Sequence, residues 1–218
     1  MNTPAFRAIR GIEVREAPKD SSFIGVLEGY AAVFNSDSVP FTGYEKPWVE
    51  RIAPGAFTRS LREHPDVKAL WSHRSDAIIG RAPDTLKIEE DATGLRVQIM
   101  LIDTQQNRDI LASVRAKQID AMSFGFTAKS VRWDEEDERD VRTLLDVTLD
   151  EVSPVVWPAY TDTSLSARSA VICTGHTDTE FRTLSTERAH HFAESAKARQ
   201  AADEANQNAI RGMALRFL

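Results

Sequence analysis

Cysteine is almost missing from this chain of 218 residues: Cys173 stands alone, which excludes an intrachain disulfide framework and any multi-cysteine metal site. Its ordinary role is packing or surface, not chemistry. Apolar runs approaching the ~20 residues that a membrane helix requires are also missing, and residues 1–10 lack the apolar centre of a secretory signal. The expectation is a soluble protein, cytoplasmic where it is made, with no membrane partner. Clustered Lys and Arg are missing too, and the formal net charge is −6; a nucleic-acid partner, whose phosphates must be neutralised by grouped cations, is therefore not expected. There is no Gly-rich loop ending in Lys-Ser or Lys-Thr, no dinucleotide fingerprint and no His-Glu-x-x-His helix. Nucleotide-driven and zinc-hydrolase chemistry have no foothold, and neither cofactor nor metal is expected.

What is present is enough apolar surface for a core, at 42% hydrophobic content, arranged in short alternating runs separated by Gly, Pro, Asn and Asp. The pattern predicts a mainly β domain with flanking helices, an α+β fold over residues 1–168. Strands are expected at 23–34, 67–73, 121–131 and 141–152, and a hairpin from 86–88 and 95–101 closing around 91–94. One short helix is expected at 54–63, with Pro54 in its first turn and Phe57 and Leu61 on one face. A second should be capped by Thr104 and carry Ile110, Leu111 and Val114. The acidic run 134–140 reads as a solvated hairpin connection in preference to a metal site. Beyond Arg168 the composition turns to Ala, Glu, Arg, Gln and Asn without a firm apolar stripe, so 169–218 reads as a helical or disordered tail.

Three polar residues stand where apolar ones would be ordinary. Alternation along Val67-Lys68-Ala69-Leu70-Trp71-Ser72-His73 puts His73 at the end of an apolar stripe with Val67, Ala69 and Trp71. A histidine at the core margin is the ordinary explanation. His64 follows a helix, where a helix-end role suffices, and His176, His190 and His191 lie in the linker and tail. Along Ala121-Met122-Ser123-Phe124-Gly125-Phe126-Thr127, alternation sends Met122, Phe124 and Phe126 to the core. Ser123 then lies on a face of small residues, which would leave room beside a nucleophilic hydroxyl; a serine that merely fits a crowded sheet is the plainer account. Glu151 continues a stripe of Leu145, Val147 and Leu149, where a carboxylate needs a cation or a strong donor to offset desolvation. Histidine would serve, as would an arginine such as Arg81, or the strand end could be frayed and exposed. Ser, His and Glu together make the combination a serine hydrolase uses, but spacing alone cannot bring them into contact.

At these residues the chain resembles the prohead proteases of tailed bacteriophages, a serine peptidase family related in fold to the herpesvirus assemblin proteases. The resemblance covers most of residues 29–168. It rests on Gly29-Tyr30-Ala31-Ala32-Val33-Phe34, Glu50-Arg51-Ile52-Ala53-Pro54-Gly55-Ala56-Phe57, Trp71-Ser72-His73, Ile79-Gly80-Arg81 and Gly94-Leu95. It continues through Met122-Ser123-Phe124-Gly125-Phe126, Asp150-Glu151-Val152-Ser153 and Trp157-Pro158-Ala159-Tyr160. It implies a closed β-barrel surrounded by helices, with His73 and Ser123 as catalytic histidine and serine. Assemblin-type enzymes place a second histidine third; here Glu151 is the best match, with Asp150 and Asp146 as rivals. Backbone amides are the usual oxyanion donors, and none can be named.

The implied activity is endopeptidase cleavage of the scaffold segment of the major capsid protein, or of a separate scaffold protein, within the procapsid. On the composition shift after Arg168 alone, the tail is expected to tether the enzyme to scaffold or shell and then to be removed by the enzyme itself. Association with copies of itself stays open. The rival from another class is a non-catalytic capsid-assembly module of the same fold. An esterase would need a Gly-x-Ser-x-Gly elbow, which Ala121-Met122-Ser123 does not supply.

Overall fold

The computed structural model describes residues 5–18, 21–38, 40–41, 46–136 and 138–156. The tail at 169–218, the lone Cys173, His176, His190, His191 and the Trp157-Pro158-Ala159-Tyr160 segment lie outside the described residues. The elements run β1 (Ala5–Arg10), β2 (Glu13–Arg15), β3 (Phe23–Val33), β4 (Trp48–Ile52), α1 (Thr58–Glu63), β5 (Lys68–Trp71), β6 (Arg74–Arg81), β7 (Leu86–Glu90), β8 (Gly94–Ile102), α2 (Gln105–Arg115), β9 (Ala121–Glu135) and β10 (Asp140–Val155). The mainly β reading holds. No described helix is long and apolar enough to cross a membrane.

The expected closed barrel is not what forms. The described strands make two open sheets: a six-stranded one in the order β1-β9-β10-β5-β6, with β4 also on β10, and a four-stranded one in the order β2-β3-β8-β7. Closure would require the two edges of one sheet to share a ladder; instead β1 pairs with β9 and β6 with β5. Each sheet turns an apolar face inward, and Leu27, Leu95, Val97 and Ile99 of the smaller sheet share one core with Phe124, Phe126, Leu149 and Val152 of the larger. Phe124 stacks on Phe126 at 5.0 Å and meets Phe57 edge-on at 5.4 Å. Fully burying each large side chain of this kind stabilises the fold by about 1.5–3 kcal/mol.

Local chemistry explains the connections. Asp91 closes the β7–β8 hairpin by accepting from the amides of Thr93 and Gly94 at 2.7 and 3.1 Å. Gly94 is required there because a Cβ would lie 2.0 Å from the Ala32 carbonyl oxygen. Thr104 caps α2 through its hydroxyl, which accepts from the Asn107 amide at 3.2 Å, and Ile110, Leu111 and Val114 are buried as expected. The first helix starts at Thr58, four residues later than the sequence suggests, because Gly55 takes φ 86°. The acidic run forms the β9–β10 connection, but it is not wholly solvated: Asp140 is buried beside Lys46 at 3.4 Å.

The long hairpin β9–β10 is the spine. One edge of β10 pairs with β9 throughout; the other carries β4 at 140–144 and β5 at 151–152, both parallel. Between them the chain swings out through α1 yet stays bonded to β10, by Ala53 N–H to the Leu144 carbonyl, Val147 N–H to the Ala56 carbonyl and Leu149 N–H to the Ser60 hydroxyl. Over the same stretch the β9–β10 register shifts three times, between 144 and 146, between 146 and 147, and between 149 and 151. Each bulge inserts a residue and can turn the following side chains to the other face.

Candidate functional site

Those bulges decide where Glu151 points. Simple alternation would keep it with Leu145, Val147 and Leu149 on one face; instead Leu145 is exposed, Leu144, Val147 and Leu149 are core, and after the last bulge Val152 takes the core position. Glu151 and Ser153 therefore turn to the opposite face. Their cross-strand partners are Gly125 for Glu151 and Ser123 for Ser153, while Val152 opposes Phe124. Ser123 thus shares a face with Glu151 and Ser153, directly across the ladder from Ser153. Gly125 adds no side chain in front of the carboxylate. That face is not the open space expected from its small residues: Ala121 is fully buried and Ser123 is 2% exposed.

His73 arrives from β5, though not as the last residue of a strand. The strand stops at Trp71, and Ser72 and His73 form a two-residue connection between the paired Trp71 and Arg74. Both take left-handed backbone, φ 51° and 62°, as the primed hairpin turn demands; without Gly or Asn this conformation costs roughly 1–2 kcal/mol per residue. Two bonds from β10 hold it, Ser72 N–H to the Pro154 carbonyl at 3.2 Å and His73 N–H to the Ser153 hydroxyl at 3.1 Å. The imidazole is therefore aimed by the turn and not by strand alternation.

The ring meets the carboxylate that sequence reasoning left in need of a partner. His73 Nδ1 lies 2.6 Å from Glu151 Oε1, with side-chain exposures of 22% and 8%. A carboxylate accepts, so Nδ1 carries the proton in this bond and Nε2 is the basic nitrogen of the neutral ring. The second carboxylate oxygen, Oε2, accepts from the Ser153 hydroxyl at 2.5 Å. Charge-assisted bonds at both oxygens offset the cost of burying the group. The alternatives are otherwise engaged: Arg81 pairs with Asp66 at 2.7 Å, Asp146 accepts from Arg59 at 2.8 Å, and Asp150 accepts from Thr127 at 3.3 Å. Burial, ahead of repulsion from Glu151, raises the Asp150 carboxyl above its usual range, against the lowering bond from Thr127. His64 sits at the end of α1, where its amide bonds the Ser60 carbonyl.

Ser153 is the residue that sequence reasoning passed over as a participant. Its signal was available, since a position two residues beyond Glu151 in a strand lies on the same face. The described residues contain no group of three or more His, Cys, Asp or Glu side chains arranged to hold a metal. What the arrangement offers is a buried carboxylate, an oriented imidazole and a hydroxyl across the ladder from their anchor.

No curated protein matches the chain. Among solved structures, the bacteriophage T4 capsid assembly protease is similar at 11% identity and a TM-score of 0.46, covering 72% of this chain and 100% of that one. The family model for the caudovirus prohead serine proteases matches residues 11–177, a span that contains His73, Ser123, Glu151 and Ser153. With well over half of its length matched in this way, the chain belongs to the caudovirus prohead serine proteases.

Proposed function

We propose that the chain is the endopeptidase that cuts the scaffold segment of the major capsid protein, or a separate scaffold protein, inside the procapsid, with Ser123 as nucleophile, His73 as base and Glu151 as the group that orients it. The observation that carries this reading is the 2.6 Å bond between His73 Nδ1 and Glu151 Oε1 on the sheet face that Ser123 shares. Ser123 Oγ attacks the scissile carbonyl carbon while Nε2 of His73 takes its proton. Glu151 stabilises the imidazolium that forms and keeps the ring from turning over. The imidazolium then gives its proton to the leaving amine, and water, activated by the same nitrogen, releases the acyl group from Ser123. Ser123 is 2% exposed, so a peptide reaches its hydroxyl only after the residues packed around it rearrange. The tail at 169–218 is a further substrate in this reading.

Co-expression with the capsid precursor tests the assignment. Ser123→Ala and His73→Ala should each lower the rate at which shortened capsid subunit appears by roughly 10^4-fold or more, and Glu151→Gln by roughly 10^2- to 10^4-fold. The tail should stay attached in the Ser123 variant. Undiminished cleavage by a folded Ser123→Ala protein would remove the proposal.

A further inference from the structure

We infer that Ser153 is a positioning residue for the reaction, a hydroxyl that locks both the backbone and the carboxylate behind the His73 imidazole. The inference rests on the catalytic roles proposed above for Ser123, His73 and Glu151. Its direction follows from hydrogen-bond valence. The His73 amide can only donate, so at 3.1 Å the Ser153 oxygen accepts from it. The hydroxyl has one proton, and that proton goes to Glu151 Oε2 at 2.5 Å. With Oε2 occupied, Oε1 faces His73 Nδ1 at 2.6 Å. One serine thus closes a ring of contacts: turn backbone to hydroxyl, hydroxyl to carboxylate, carboxylate to imidazole.

Two further observations separate this role from simple packing. First, the turn it holds has two consecutive left-handed residues, Ser72 and His73, neither of them glycine, and such backbone persists only where its surroundings over-determine it. Second, Ser153 is fully buried and sits directly across the ladder from Ser123, so the group that fixes the base is tied to the strand position of the nucleophile. Ser153 is not a second nucleophile, because its proton is committed to a carboxylate and not to the basic ring nitrogen.

The test uses full-length protein and an alkyl fluorophosphonate, which loses fluoride as a serine oxygen bonds to phosphorus. Saturation kinetics separate the maximal labelling rate from the apparent binding constant, and the Nδ1 proton of His73 is followed as a downfield nitrogen-edited resonance. Ser153→Ala should lower the maximal rate by about 10- to 100-fold with the binding constant little changed. The His73 proton signal should broaden or vanish while the thermal melt stays cooperative. Ser153→Thr, which keeps the hydroxyl, should restore both rate and signal. If Ser153→Ala does not fold, Ser153→Cys, similar in size but a weak donor, should show the same two losses. A wild-type rate, or a slowed rate with the His73 signal intact, in Ser153→Ala, or in Ser153→Cys where the alanine variant does not fold, overturns the inference. Labelling that persists in Ser123→Ala instead overturns the reading beneath it.

Discussion

Ser72 and His73 show how a site can be held by backbone that its own residues do not favour. Consecutive φ values of 51° and 62° would suit Asn-Gly, yet only the first position is chemically free to change, since His73 supplies the ring. Ser72→Gly should therefore stabilise the protein by up to about 1 kcal/mol, the relieved left-handed cost being partly offset by glycine's greater unfolded entropy. A denaturant midpoint that falls in this variant would show that the Ser72 side chain contributes more than its backbone costs. At the same scale, the sequence marked Glu151 as a carboxylate that would need a partner if buried, with exposure at a frayed strand end as the other reading, although the stripe that suggested it is broken by the bulges. That the partner is His73 and not Arg81 was not legible, since Arg81 is drawn to Asp66 by a bond that no local pattern records.

Elements form where local chemistry and burial agree, and α2 is the clearest instance. Thr104 precedes a run whose Ile110, Leu111 and Val114 fall on one side, and the structure keeps both the cap and the stripe. Thr104→Ala should lower stability by about 1 kcal/mol, measured by chemical denaturation, with the loss confined to the orphaned amide of Asn107. Unchanged stability would mean that solvent caps this end equally well. The β7–β8 hairpin was legible for a similar reason, the Asp-to-Gly stretch being a turn of local hydrogen bonds. The strand carrying Glu151 was legible as a strand but not in its facing. Period-two reasoning assumes an unbroken ladder, and the β9–β10 register shifts three times along the stretch where α1 bonds to β10, a contact between residues nearly ninety positions apart in sequence.

Across the described sheets, charge pairs add to the register that one-sided burial sets. Glu28 on β3 accepts from Arg15 of β2 at 2.5 Å and from Arg96 and Gln98 of β8, the latter at 3.1 Å. Burial by itself would raise its carboxyl, but the bonds from Arg15, Gln98 and Arg96 override it and hold the group at about 2, below the ordinary 4.5. A carboxylate whose folded value is depressed adds stability above its unfolded value, and that contribution is lost as pH falls toward the folded one. Glu28→Gln should therefore be less stable than wild type at neutral pH. The gap should close between pH 4.5 and about 2, as read from unfolding free energies across that window. A gap independent of pH would assign the loss to packing.

The sequence by itself determined the strand-rich character, the hairpins and helix cap made by neighbours, and a family resemblance with its membership, because these rest on local propensity and on residue identity. Only the tertiary structure decided that the two sheets stay open, that His73 lies on a left-handed turn, and that Glu151, Ser153 and Ser123 share one face. Each of those outcomes depends on which distant edges pair and in what register, and a ladder between remote strands leaves no period in the residues that form it.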